Sequence, residues 1–361
     1  MDAATLARRR QQNLLLTGKP LDSAEEVVRW LGAVQSQDFG AAKWSVAQRT
    51  RRLTDAAFDE AFNAGSILRT HVLRPTWHFV LPEDIGWLLE LTGPRVRRQM
   101  GSYDRKLGLD AAETKRCTAL IVKTLRRAGR QTRQELRAML ENAGVEAQGQ
   151  RLNHIMLNAE LTGAICSGGV LGKQQTYALL EERAPNTRSL SPDEALAELT
   201  VRFFTSHGPA TPKDFRWWST LPLADIKRGL EMVGAALEHE TVEGVTYWFS
   251  PRTVARKPRA PRVHLLQPYD EYIVGYTESR RLLDISGVAH TWFPDVFGGA
   301  LALDGQIVGH YRRTVGKDSV VVDASLFRRF DAAQKKELRA EVDRLGAFLG
   351  LPASVETRVA R

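Results

Sequence analysis

Two glutamines separated by one residue, Gln35-Ser36-Gln37, stand where an apolar helix runs out, and their type and spacing could do chemistry together. A carboxamide offers two donors and an acceptor but no useful pKa, so it can hold and orient a water without being a strong base. Such a pair suits a reaction whose leaving group is already activated. Residues two apart point about 200° away from each other on an ideal helix. The two amides therefore share a target only if the helix has ended before them, at the helix terminus or in the following turn. The competing reading is that both amides cap the helix end or sit in solvent.

Other side chains could support a polyanion. Around Arg74-Pro75, the residues Arg69, His71, Arg74, Trp77 and His78 form a basic, aromatic segment of the kind that lies along a phosphate backbone or enters a minor groove. The alternative is that Trp77 is core and both histidines are surface donors. Asp270 and Glu271 are the most suggestive carboxylates outside the helices: one of them could stabilise a cationic intermediate, Asp270 being the candidate for electrostatic support, or they could tie the C-terminal β-rich part to the linker before it. Arg280, Arg281, Arg312 and Arg313 meet phosphate if their part of the chain faces the same channel. Trp217-Trp218 reads as core packing. There is no Gly-rich phosphate loop, HExxH or GxSxG, and no zinc-like ligand spacing, so neither a metal nor another cofactor is expected.

The elements that must position these groups are written in caps and periodicity. A first helix over 5–16 is stopped by Gly18-Lys19-Pro20. Ser23 with Glu26 makes a capping box for the next, which carries Val27, Leu31 and Val34 on one face and leads to the glutamines. Helices over 40–49 and 54–64 follow, the second closed by Gly65. Runs at 67–73 and 76–81 then read as a hairpin. Helices followed by a hairpin is the order of a winged helix-turn-helix, and it recurs twice. The second copy has a helix over 112–127, a Thr132/Glu135 capping box, a third helix with Leu152, Ile155 and Ala159, and a Gly168-Gly169 turn between two strands. The third has a helix from Pro192 to Ser206, a Thr211 cap with Pro212 behind it, a helix over 221–233 and a hairpin turning at Glu243-Gly244.

The expected fold class is α+β: three tandem winged helix-turn-helix motifs (1–104, with the Gln-x-Gln motif, 105–188 and 189–250), a basic linker (251–262), an antiparallel β-barrel (263–330) and a C-terminal helix (331–361). The linker carries Arg252, Arg256, Lys257, Arg259 and Arg262 with no acid. Barrel strands are expected at 264–267, 272–276, 300–303, 306–311 and 320–322, with a turn at Asp304-Gly305. Leu338, Val342, Leu345 and Phe348 give the last helix one apolar face, which seals the barrel or docks on the first motif.

A chain of 361 residues exceeds the roughly 250 at which single cores stop growing. A formal net charge of +9 favours a polyanionic partner, nucleic acid before membrane. Only Cys117 and Cys166 are present, too few for a disulfide framework, and no stretch approaches a signal h-region or the ~20 apolar residues of a membrane span. A cytoplasmic, nucleoid-associated monomer with no membrane partner is expected.

The segments Gln35-Ser36-Gln37, Leu73-Arg74-Pro75-Thr76-Trp77-His78, Pro268-Tyr269-Asp270-Glu271-Tyr272 and Asp304-Gly305-Gln306-Ile307-Val308-Gly309 keep their order over nearly the whole chain. Together they resemble the AlkZ-like branch of the YcaQ/AlkZ DNA glycosylases. The resemblance implies a C-shaped molecule of three winged helices and a β-barrel around a DNA channel, with Gln35 and Gln37 at the catalytic centre. It implies double-stranded DNA carrying an N7-alkylated purine as substrate, including bulky natural-product guanine adducts and crosslinks, in some members for toxin self-resistance. Ser36 stands where members often carry an aliphatic residue, which bears on substrate preference.

The chemistry of the residues agrees. N7-alkylation makes a purine cationic, so its glycosidic bond already tends to break through an oxocarbenium-like state. Lys43 is the one lysine near the motif, which favours direct hydrolysis by a monofunctional enzyme over a Schiff-base lyase. A winged-helix transcriptional regulator without catalysis is the rival, and it would call for a dimerisation heptad or ligand domain, neither of which is evident. An RNA-structure binder would call for stacking-platform motifs, which are not seen.

Overall fold

The computed structural model describes residues 1–172, 174–251, 261–288 and 298–359, so the expected basic linker lies mostly outside the described residues. After a first helix, Ala3–Asn13, the helix Ala24–Leu31 begins where the Ser23 hydroxyl accepts the Glu26 N–H at 3.2 Å. The Glu26 carboxylate reaches the N–H of Asp22 rather than that of Ser23, so the cap is one residue wider than a capping box. Gly32, at φ 79°, ends the helix in a conformation that only glycine adopts cheaply. The chain then extends. Val34–Gln35 pairs antiparallel with Trp77–Val80, which pairs on its other side with Leu68–His71. Gln35 sits opposite His78 in this register, and the Ser36 N–H donates to the Trp77 carbonyl at 2.7 Å. The motif thus begins as a third strand beside the hairpin. Helices Phe39–Ala47 and Asp55–Ala64, capped by Asp38 and Thr54, cover it, with Val27, Phe58, Phe62 and Phe79 in one core.

A 22-residue helix, Ile85–Lys106, was not among the expected elements. It runs through Pro94. A Cβ on Gly93 would stand 2.8 Å from the Leu161 carbonyl oxygen, so glycine lets the end of the helix Gly149–Leu161 approach, and Val96 packs there on Leu157 and Leu161. The intervening helices are Ala111–Ala128 and Arg133–Asn142, the latter opened by a complete Thr132/Glu135 capping box. Gly168 and Gly169 do not form the expected turn. They lie inside the strand Ile165–Leu171, at a register shift against Gln174–Leu179. The reason is a close approach: a Cβ on Gly169 would stand 2.7 Å from the Asn63 Oδ1, which itself accepts the Val170 N–H at 2.7 Å. The bulge docks this strand on the helix Asp55–Ala64. Further on, Pro192–Ser206 and Pro212–Ser219 each carry a capping box and a proline in the first turn, Leu223–Val233 follows, and Glu238–Val242 pairs with Val245–Phe249.

The C-terminal part departs from a barrel. Its five strands run in the order Ala353–Val359, Val320–Leu326, Gln306–Val315, Gly299–Leu303, Val263–Leu266, and among the described residues the edges do not close. The last strand was not expected, and it explains the open form. The chain leaves Val320–Leu326, crosses through the helix Ala332–Leu349 and returns parallel to it, as a crossover connection must. That helix lays Leu338, Val342, Leu345 and Phe348 on the sheet and also meets Trp44 of the helix Phe39–Ala47. The expected strand at 272–276 is a short helix, Glu271–Val274, with Asp270 at its cap.

Candidate active site

A cavity of about 940 Å³ brings together parts of the chain far apart in sequence. Gln35 and Arg74 come from the first hairpin region, Arg95 and Arg98 from the helix Ile85–Lys106, and Arg216 and Trp217 from the helix Pro212–Ser219. Lys213, Tyr269 and Val274 complete the part that matters here. Among the described residues no Asp or Glu lines it, and although one of its cations, Lys213, is paired with Glu278 at 2.5 Å, its arginines favour an anion such as phosphate.

Gln35 is nearly fully buried and held at both ends. Its backbone N–H donates to the Glu271 Oε1 at 2.7 Å, and its side-chain Oε1 accepts from the Arg74 guanidinium at 2.7 Å. A guanidinium can only donate, so it fixes which end of the amide is oxygen. The NH₂ of Gln35 is left as the group offered to the cavity. Arg74 also donates to the Val274 carbonyl at 3.2 Å, and the same carbonyl accepts the Trp217 Nε1–H at 2.9 Å.

Behind this wall lies a buried charge. The Glu271 Oε2 accepts the Trp218 Nε1–H at 2.8 Å and lies 3.2 Å from the His207 Nε2. Burial alone would raise the pKa of Glu271. The hydrogen bond and charge of His207, with the charge of Arg74, outweigh burial and hold it down to about 2, so the group is a carboxylate. Burial, reinforced by Arg74, pulls His78 down to about 3. His78 is therefore neutral near pH 7. With its Nδ1 on the Thr76 carbonyl at 2.9 Å, its Nε2 is the acceptor that faces Arg74 at 3.5 Å.

The remaining sequence-selected residues are placed as follows. Gln37 is exposed and does not line the cavity; its Oε1 lies 3.4 Å from the Trp77 N–H, a long and weak bond. Arg69 does not face outward: it donates to the Ser36 carbonyl at 2.9 and 3.1 Å and lies over the Trp77 ring, and burial pulls its pKa to about 10. His71 is bonded to the buried Glu160, which also accepts the Trp77 Nε1–H at 3.3 Å. Asp270 does not reach the cavity, because both its oxygens are taken by Arg49 and one also by Ser45. Arg281 is paired with Glu243, Arg280 donates to the Tyr276 carbonyl, and neither they nor Arg312 and Arg313 line the cavity.

Five site groups escaped the sequence reading. Arg95 and Arg98 lie on the helix Ile85–Lys106, which was not expected, and with Gln99 they fall on one of its faces. Arg216 and Lys213 lacked a neighbourhood until the fold supplied one. Trp217 was taken for core with Trp218, yet neighbours on a helix point about 100° apart. Trp218 is buried and Trp217 is 47% exposed.

Among the described residues no group of three or more His, Cys, Asp or Glu is arranged to hold a metal ion, and no helix is long and apolar enough to cross a membrane.

A mixed α+β fold around a large, cation-walled cavity with one pinned amide is the frame of a protein acting on nucleic acid. The family model described as DNA glycosylase AlkZ-like matches residues 28–348, and the chain belongs to that family of DNA repair enzymes. An interstrand DNA cross-link repair glycosylase of Streptomyces sahachiroi is 26% identical to it over 286 residues, covering 74% of this chain and 75% of that one. The solved structure of the Streptomyces sahachiroi DNA glycosylase AlkZ superposes over the full length of both chains with a TM-score of 0.81 at 20% identity, a likeness of fold.

Proposed function

We propose that this protein is a monofunctional DNA glycosylase that hydrolyses the N-glycosidic bond of N7-alkylated purines in duplex DNA, bulky natural-product guanine adducts and crosslinks included. The observation that carries the reading is the Gln35 amide, locked by Arg74 so that its NH₂ faces a cation-lined cavity. The three helical segments with their strand pairs are proposed as winged helices that, with the C-terminal sheet, flank the DNA, bound by a monomer in the nucleoid.

In this mechanism the bond from C1′ to the purine breaks with its electron pair passing to the base, which cancels the charge that alkylation placed at N7. The sugar cation is captured by water, whose proton goes to solvent. Gln35 donates a hydrogen bond to the water oxygen and the Gln37 Oε1 accepts one from the water O–H, a donor and an acceptor that fix its direction of attack. The 3.4 Å bond of Gln37 to Trp77 is weak enough to be exchanged for that water. Glu271 supports the Gln35 backbone and adds a buried negative charge behind it. Arg95, Arg98, Lys213 and Arg216 suit the phosphates of the bound strand.

The test uses duplexes carrying one N7-methylguanine or one bulkier N7-guanine adduct, with abasic sites scored by strand cleavage in alkali. Release well above spontaneous depurination is expected on at least one of them. Release no faster than without protein on both overturns the reading.

A further inference from the structure

An exposed tryptophan on a soluble protein is ordinary by itself. Trp217 is not simply exposed. Its indole Nε1–H is tied to the Val274 carbonyl at 2.9 Å, so the ring cannot swing away without losing that bond, while the residue is 47% exposed and lines the cavity. The Val274 carbonyl is shared with Arg74, whose guanidinium holds the Gln35 amide. A chain of three hydrogen bonds therefore fixes the aromatic face relative to the catalytic amide. Pro75, Tyr269 and Val274 give the same cavity apolar surface beside its cations. An orientation-locked π face among apolar contacts is what a planar heteroaromatic ring needs.

We propose that Trp217 is the stacking platform for the target purine and the residue that sets preference for the alkylated base. This rests on the glycosylase reading above. Any base stacks on an indole, and that contact alone is blind to damage. An N7-alkylated purine differs by carrying a positive charge spread over the ring, and the negative face of the indole attracts it. The electrostatic part is lost for the neutral base and kept for the cationic one, which corresponds to a preference of roughly tenfold. Pre-orientation by Val274 means that little freedom of the indole is lost on binding.

The test compares two stable duplexes of the same sequence. One carries N7-methylguanine on a 2′-fluoroarabino sugar, cationic and resistant to cleavage; the other carries 7-methyl-7-deazaguanine, its neutral isostere. Wild type is expected to bind the cationic duplex roughly tenfold more tightly, Trp217→Phe to keep part of that preference, and Trp217→Leu to bring the two affinities together with an unchanged melting temperature. Equal binding of both duplexes by wild type, or an undiminished preference in Trp217→Leu, overturns the proposal. Excision of ordinary N7-methylguanine is scored on the same preparations. A wild type that excises while Trp217→Leu keeps its preference removes only this inference. A wild type that excises nothing removes the glycosylase reading and this inference with it.

Discussion

The carboxylate of Glu271 accepts the backbone N–H of Gln35 at 2.7 Å, across 236 residues of sequence and in full burial. The strand that carries Gln35 is only two residues long, so this contact and the pairing to His78 place it. Removing the carboxylate leaves the Gln35 N–H, Trp218 Nε1–H and Arg74 without their acceptor or counter-charge in a dry site. Glu271→Ala is expected to cost about 3–5 kcal/mol of stability. Glu271→Gln keeps one acceptor for the backbone and is expected to fold, with slower excision because the negative charge is gone. Urea melts and single-turnover rates read the two effects apart; an alanine variant as stable as wild type would show that the contact is incidental.

If Gln35 and Gln37 direct the water, each alanine variant should lose about 10²-fold or more in excision, the scale of removing one oriented polar group. Gln35→Ala leaves Arg74 its bond to Val274, so the fold should survive. Gln37→Asp should behave differently, since a carboxylate can accept the water's proton and face the sugar cation. Its rate on N7-methylguanine should be kept or raised. Wild-type rates in both alanine variants would return the glutamines to structural roles.

Ser36 is fully buried, and among the described residues its hydroxyl has no hydrogen-bond partner, while its backbone N–H and carbonyl are both used. An unpaired buried hydroxyl costs about 1–3 kcal/mol. Ser36→Ala should therefore raise the melting temperature, by a few degrees for a chain of this size. A lower melting temperature would mean that the hydroxyl is satisfied after all. The resemblance to the family marks this position as usually aliphatic, and the site shows why an aliphatic side chain is tolerated there.

Acid should weaken the fold in two stages. Burial lowers His78 and His264 to about 3 from the ordinary 6.5, so the unfolded chain binds more protons than the native state between those values, and stability falls as pH drops below 6.5. Glu271, held near 2 against an ordinary 4.5, adds a second loss as pH falls from 4.5 towards 2. Glu341, raised by burial, works in the opposite direction but is outnumbered, since His207 and His310 are lowered as well. Melting temperature followed from pH 8 to pH 4 should decline from about 6.5 downward. His264→Leu, at a ring whose two nitrogens have no hydrogen-bond partner among the described residues, should soften that first decline. Identical profiles for variant and wild type would remove His264 from the account.

What was legible in the sequence was local chemistry. Thr54, Thr132, Thr211 and Gly65 announce helix ends because caps act over three or four residues, and the helices they bound are where they say. Gly168-Gly169 misled because Gly169 makes room for a distant neighbour, Asn63, and that need is invisible before the chain folds. The strand Ala353–Val359 was missed because its partner, Val320–Leu326, lies beyond a whole helix. At the site, Gln35 and Arg74 stand out in the sequence, and Asp270 and Glu271 stand out as a pair that the sequence does not separate; Glu271 is the one bonded to Gln35. Asp270 is neutralised by Arg49, a pairing across 221 residues that no spacing betrays.

The sequence offered Arg280, Arg281, Arg312 and Arg313 as phosphate contacts, whereas the cavity is walled by Arg95, Arg98, Lys213 and Arg216, and DNA binding can separate the two sets. Each phosphate contact releases counterions, so affinity falls with salt in proportion to the number of contacts. Arg95→Gln and Arg98→Gln should each weaken duplex binding whatever its sequence, and each should reduce the slope of log affinity against log salt by about 1. Arg281 is already paired with Glu243 at 2.6 Å, so Arg281→Gln should leave the slope nearly unchanged. Anisotropy titrations of a labelled undamaged duplex, at salt from about 50 to 200 mM, give these slopes directly. An unaltered slope in both Arg95→Gln and Arg98→Gln, with a reduced one in Arg281→Gln, would move the DNA path off the cavity and onto the sheet side of the molecule.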